Sequence, residues 1–263
     1  GGDFTGASYN GITSLDTYYR VIRLTSTGIG TSIISGINGT SGVGGEYGTD
    51  GPVYSIFYEP GKNVVFIGGS FSIMNWDGST GSSANNICQY DYAAASFFTL
   101  IHDPASPAQG VDSPSTGSTV VVYSIYAYNT GSVYVYVGGN FTSLAPGSGI
   151  TGYNIGVWEW VNQGGSGNWW PITDNTGGVG TDLPVRSLTY YPSSPGYLYV
   201  AGDFTQAGVG GSPINANYCA MLDITSVSYI GPGFVWYTIG DALSYTGSGN
   251  PSTTVDNGTN GAL

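Results

Sequence analysis

Apolar residues along this chain come in short runs, dense in β-branched and aromatic side chains and closed off by Gly, Asn, Ser or Pro. Val53-Tyr54-Ser55-Ile56, Val64-Val65-Phe66-Ile67, Val121-Val122-Tyr123-Ser124-Ile125 and Val133-Tyr134-Val135-Tyr136-Val137 are of this kind. Such runs are too short for helices and suit a pleated, half-buried surface, so each predicts a β-strand. No segment shows a convincing helical apolar period, and none approaches the roughly 18 apolar residues of a membrane-spanning helix. The pattern predicts an all-β chain without membrane insertion.

The runs repeat. A Gly-Gly-x-Phe block stands at Gly1-Gly2-Asp3-Phe4, closes an apolar run at Gly68-Gly69-Ser70-Phe71 and Gly138-Gly139-Asn140-Phe141, and returns as Ala201-Gly202-Asp203-Phe204. Upstream of the last three lie Pro52-Val53-Tyr54-Ser55-Ile56, Val121-Val122-Tyr123-Ser124-Ile125 and Pro184-Val185-Arg186-Ser187-Leu188. Downstream of all four lie Val21-Ile22-Arg23-Leu24, Ile87-Cys88-Gln89-Tyr90, Ile155-Gly156-Val157-Trp158 and Cys219-Ala220-Met221-Leu222. A fourth block is aromatic or branched: Ile33-Ile34, Phe97-Phe98, Trp169-Trp170 and Val235-Trp236. Blocks that hold register with one anchor define a repeat of about 65 residues with four short strands, the pattern of a β-propeller blade. The paired glycines let backbones approach closely or turn sharply, and the Phe is expected to pack between neighbouring sheets. No helix or Lys follows them, as a phosphate-cradling loop would require.

Gly1-Gly2-Asp3-Phe4-Thr5 followed by Tyr19-Arg20-Val21-Ile22-Arg23-Leu24 resembles the bacterial delta-60 type of propeller repeat, and Pro60-Gly61-Lys62-Asn63 running into Val64 to Gly69 is similar to its strand-turn-strand segment. Kelch-like propellers and fungal cortical cell-polarity propellers are similar too. The resemblance implies a β-propeller of four-stranded antiparallel blades, extracellular or surface-exposed, without catalysis in the repeat itself. Arg23 of the motif becomes Gln89, Val157 and Met221 in later copies, so no role of that Arg carries over.

The expected organisation is one propeller domain or propeller segment over 1–263, with repeats at about 1–50, 51–118, 119–182 and 183–263. Strands two to four are counted four times and strand one three times. A four-bladed ring would then need one strand from residues beyond Leu263 or from a neighbouring chain; otherwise the four repeats are a window on a larger propeller. An unpaired edge invites strand addition, so self-association into an oligomer or fibre is an expected partnership.

Composition narrows the function. Charged residues make up 8% of the chain, against about 25% in an average soluble domain. The only basic residues are Arg20, Arg23, Lys62 and Arg186, and the net charge is −12. That leaves no field of cations for nucleic acid or for an anionic membrane surface. With 22 Tyr, 9 Phe and 6 Trp the chain is too aromatic for disorder. A surface built on Ser, Thr, Asn and Gly suits an extracellular, cell-surface or virion-surface location. Cys88 and Cys219 fall at non-equivalent repeat positions in apolar strands, where small buried hydrophobes are expected rather than a disulfide.

Candidate chemistry is sparse. His102 is the one histidine, so zinc and copper-radical sites lack ligands, and no Gly-x-Ser-x-Gly elbow accompanies it. Asp3 with Asp203, and Asp91 with Glu159 and Asp223, recur at equivalent places, which favours turn and cap roles over a catalytic pair. Asn75-Trp76-Asp77-Gly78-Ser79 alternates oxygen ligands but lacks the features of a calcium loop. Sequons stand at Asn38, Asn140 and Asn257. Among the tryptophans, Trp158, Trp169 and Trp170 occupy strand positions and are expected between sheets, whereas Trp76 and Trp160 lack clear equivalents and are the candidates for stacking on a ligand. The expectation is a non-enzymatic structural or interaction module without catalytic residue, cofactor or metal. The alternative is a carbohydrate-binding or glycoside-cleaving propeller.

Overall fold

The structure is a computed structural model, describing residues 2–3, 6–7, 16–17, 23–24, 30–31, 48–76, 81–94, 96–102, 108–113, 119–162, 166–192, 196–224 and 233–239. The described elements are all β-strands. In the first repeat they are two short pairs, β1 (Gly6–Ala7) with β2 (Asp16–Thr17) and β3 (Arg23–Leu24) with β4 (Gly30–Thr31).

From Gly48 onward one arrangement occurs three times. β6 (Val53–Glu59), β7 (Val64–Gly69), β10 (Ile87–Asp91) and β11 (Ser96–Thr99) form an antiparallel meander in the second repeat. The third repeat has β14 (Val121–Asn129), β15 (Val133–Asn140), β18 (Ile155–Asn162) and β19 (Ser166–Pro171). The fourth has β21 (Val185–Tyr191), β22 (Tyr197–Gly202), β25 (Cys219–Asp223) and β26 (Val235–Thr238). Each meander carries a three-stranded satellite. These are β5 (Gly48–Thr49), β8 (Ile73–Trp76) and β9 (Ser82–Ser83), then β13 (Val111–Asp112), β16 (Ser143–Leu144) and β17 (Ile150–Thr151), then β20 (Val179–Thr181), β23 (Gln206–Val209) and β24 (Ile214–Asn215).

The motif explains the local geometry. In each meander the register between strands one and two slips by one residue, so that Tyr54, Tyr123 and Arg186 are the extra residues of three equivalent bulges. The second glycine of each block faces that bulge. A Cβ on Gly69, Gly139 or Gly202 would stand 2.0 to 2.2 Å from the carbonyl oxygen of Pro52, Val121 or Pro184. The Phe that follows is buried in every case, as Phe71, Phe141 and Phe204. The hydroxyl residue after it is tied to the run before strand one. Asp50 Oδ1 accepts the N–H groups of Ser72 and Ile73 while Oδ2 accepts the Ser72 hydroxyl. Asp182 does the same for Thr205 and Gln206.

Successive sheets pack face to face, and the first glycine of the block makes the approach possible. A Cβ on Gly68 would lie 2.4 Å from Val122 Cγ1, and one on Gly138 would lie 2.5 Å from Val185 Cγ1. Strand one of the third and of the fourth repeat therefore seats its Val and its Ile or Leu on the bare backbone of the preceding sheet. Ser55 Oγ accepts the Ile125 N–H at 3.0 Å, and Ser124 Oγ accepts the Leu188 N–H at 2.9 Å. Asn86 and Asn154, both in the left-handed region, reach forward with their side-chain amides to the carbonyls of Val111 and Thr181.

The outer edges are joined as well. Beyond β11 the chain crosses over as β12 (Ile101–His102) and adds a fifth strand, parallel, to β19. Trp169 donates its backbone N–H to His102 Nδ1 and its indole N–H to the Leu100 carbonyl. Asp174 bridges Phe234 in the same parallel sense one repeat later.

Two buried clusters fill the spaces between sheets. One holds Phe66, Ile87, Ile125, Phe141, Trp158, Trp160 and Trp169; the other holds Tyr136, Val157, Leu188, Leu198, Phe204, Leu222 and Trp236. A third, with Ile67, Cys88, Tyr90 and Phe97, lies on the opposite face of the second sheet. Gly138→Ala should destabilise the protein by about 1–3 kcal/mol through the clash with Val185. Ala201→Gly, at the equivalent place in the last sheet, should cost no more than the roughly 0.5–1 kcal/mol of added backbone freedom. Urea unfolding at equal m-value measures both.

Candidate functional site

Strand alternation assigns each side chain of the fourth sheet to one face. Leu188, Leu198, Val200, Ala220, Leu222 and Trp236 point back into the cluster shared with the third sheet. The opposite face carries Tyr191, Tyr197, Tyr199, Ala201, Cys219, Met221, Val235 and Tyr237. Its equivalents on the third sheet, Tyr134, Tyr136, Ile155, Val157 and Trp170, are covered by the following sheet. On the fourth sheet Tyr191 is 59% exposed, and Tyr197, Tyr199, Cys219, Val235 and Tyr237 are half-buried. Tyr197 and Tyr237 meet edge to face at 5.9 Å. Burial, with the nearby Asp223 carboxylate and the Tyr199 phenol behind it, pushes the Tyr197 hydroxyl above its ordinary pKa. Ser187, equivalent to the two serines that cap a following strand, is exposed on this face.

A second feature opens between the hairpin ends of the second and third sheets. A groove of about 310 Å³ is lined by Lys62, Asp91, Gly131, Ser132, Val133, Trp160 and Val161. Asp91 is fixed by accepting the N–H groups of Ala93 and Ala94 on Oδ1. Trp160, 8% exposed, is held edge to face against Phe66 at 6.0 Å and tilted against Trp158 at 5.9 Å.

The inner bulges line up across the sheets. Tyr54 and Tyr123 lie 5.9 Å apart, and the Arg186 guanidinium sits 4.3 Å over the Tyr123 ring while pairing with Asp203. The hydrogen bond to Asp203 is the main cause that raises the Arg186 pKa.

Most remaining carboxylates whose bonds are described serve the backbone or a neighbouring side chain. Glu59 accepts the Gly61 N–H and the Asn129 amide, Glu159 accepts the Trp170 indole, and Asp174 accepts Thr176 and Gly178. His102 is spent on the inter-sheet link to Trp169. Among the described residues no three His, Cys, Asp or Glu gather as a metal site. Both cysteines are free thiols, and burial raises the pKa of each, most strongly at Cys88.

The stacking and sequon residues fall in different settings. Trp160 is a packed member of the inter-sheet cluster that also walls the groove, while Trp76 ends β8 and its side chain lies outside the described residues. Trp158 and Trp169 are fully buried between sheets and Trp170 is half-buried. Asn140 is half-buried at the end of β15, its amide nitrogen donating to the Thr119 carbonyl at 2.9 Å. Asn38 and Asn257, and the Asp77–Ser79 part of the oxygen-rich loop, lie outside the described residues. Sequence reasoning missed Gln89 and Ser55, whose repeat positions are visible but whose surroundings depend on the neighbouring sheet.

Comparison with protein-family models, curated proteins and solved structures finds no match for the chain. Asp182→Ala should remove three hydrogen bonds to a carboxylate and cost about 2–4 kcal/mol, more than Asp182→Asn, in thermal or urea unfolding.

Proposed function

We propose that this chain is a β-propeller-type interaction module of the delta-60 and kelch-like kind, non-catalytic and displayed outside the cell or on a particle such as a virion. It works by associating with copies of itself through the outward face of the fourth sheet. One observation carries the proposal: that face bears exposed and half-buried tyrosines where the equivalent face of the preceding repeat is covered by the next sheet. Tyrosine gives large contact area at small entropic cost and is enriched at protein interfaces. A net charge of −12 with few cations favours a contact built on such aromatic and hydroxyl groups rather than on ion pairs. The engagement of the described carboxylates with backbone and side-chain donors supports the non-catalytic part of the proposal.

Ala201 gives the face its own character. Where Gly68 and Gly138 admit a Val and an Ile or Leu, the Ala201 methyl fills the recess, so the partner surface differs from an ordinary following repeat. A second copy supplies such a surface without requiring a regular continuation of the repeat.

Light scattering of the eluting protein tests this. The wild-type chain should show a mass above that of one chain, rising with concentration. Tyr199→Glu, placing a charge on the face, should weaken association at least tenfold, or about 1.4 kcal/mol. A single-chain mass at every concentration would overturn the proposal.

A further inference from the structure

One strand of the second sheet keeps an apolar strip in solvent while the rest of the same face is buried. Ile56 and Tyr58 on β6 are 43% and 51% exposed. Their register partners on β7, Ile67 and Val65, are buried, and so is Tyr90 on β10 beyond them. Tyr54, at the bulge of β6, is exposed as well. The open area is therefore one strand wide and follows β6, the edge strand of its sheet. The same place is closed in the next two repeats. Ile125 and Leu188 hold the register of Ile56, yet they are only 5% and 8% exposed. Val53, at the start of β6, is buried and donates its N–H to the Gly2 carbonyl at 3.2 Å, so the strip opens past that point.

Two contacts inside the chain show what fits such a strip. β6 lies against β14, and β14 lies against β21, each time through the same three kinds of side chain. A serine accepts the N–H of the covered strand, Ser55 from Ile125 and Ser124 from Leu188. The tyrosine before that serine meets the next bulge residue, Tyr54 against Tyr123 and Tyr123 beneath the Arg186 guanidinium. The aromatic residue two places after the serine meets a ring on the next strand, Phe57 against Tyr126 at 5.3 Å and Tyr126 against Tyr190 at 5.4 Å. We propose that the β6 strip receives an extended segment of a partner protein that carries this Tyr-Ser-x-aromatic pattern. Its serine accepts the Ile56 N–H, and its rings lie on Tyr54 and Tyr58. The strip thus continues an interface that the chain itself builds twice. A second copy is a poor donor, because β6 and β14, the described strands with this pattern, are each bound into their own meander. The strip belongs to the second sheet and not the fourth, so it is independent of the self-association proposed above.

The probe is a fluorescent peptide with the sequence of Pro52 to Glu59, titrated with the full chain and read by anisotropy. Saturable binding with a Kd of about 100 µM or tighter is expected. Ser55→Ala in the peptide should weaken it severalfold through the lost hydrogen bond. Ile56→Asp in the protein should weaken it at least tenfold and Tyr58→Ser severalfold, both with little change in Tm because both side chains are exposed. No saturation up to about 1 mM protein, equal binding of a scrambled peptide, or binding that both protein variants leave intact would overturn the proposal. Loss of self-association in the Ile56→Asp chain, read by light scattering, would assign the strip to a second copy and overturn it too.

Discussion

The missing side chain at Gly68 and Gly138 is what the rest of the structure depends on. A sheet with a Cβ at that position could not receive the Val and the Ile or Leu of the next repeat, which stand 2.4 to 2.9 Å from where it would be at Gly68. With hydrogen there, strand one of the third and of the fourth repeat lies against the backbone of the preceding sheet. Its N–H then meets a serine, its apolar residues close a cluster, and the outer crossover strand reaches the neighbouring edge. Each sheet is a small meander that could not bury both faces alone. Two faces buried against neighbours turn a row of marginal sheets into one packed array.

Much of this was legible from the chain. The upstream Val-x-Ser block, the run that Gly-Gly-x-Phe closes, the apolar block downstream of it and the aromatic or branched pair are strands one to four, and in repeats two to four they fall where the spacing puts them. The expected close approach at the glycines and the burial of the Phe have direct counterparts in the clash distances and in Phe71, Phe141 and Phe204. The expectation for Asp91, a turn role, matches its bonds to Ala93 and Ala94. Trp158 and Trp169 lie between sheets, as strand position implied.

Other features were not legible, for physical reasons. The bulge at Tyr54, Tyr123 and Arg186 breaks the period-two alternation, so the faces of strand one cannot be read from apolar pattern alone. The serine in the same strand looks like a surface residue until the neighbouring sheet supplies its N–H. Trp160 has no clear equivalent in sequence, yet it packs between Phe66 and Trp158 and is 8% exposed where it lines the groove. The satellites are two or three paired residues each and carry no periodic signal. Which sheet face is left open follows from position in the array, which no single repeat encodes.

Ala201 links the packing rule to the proposed assembly, because it departs from glycine on the fourth sheet, whose outward face bears the exposed Tyr191. Cys219 pairs in register with Ala201 on that face and is half-buried, while Cys88 is fully buried in the second sheet. The chain therefore contains its own reporter and its own internal control. The decisive measurement is the alkylation rate of the two thiols by a maleimide across a range of protein concentration, read by mass spectrometry of peptides. The account predicts that Cys219 reacts at low concentration and slows as the protein associates, while Cys88 stays inert throughout. A Cys219 rate that does not change with concentration would contradict it.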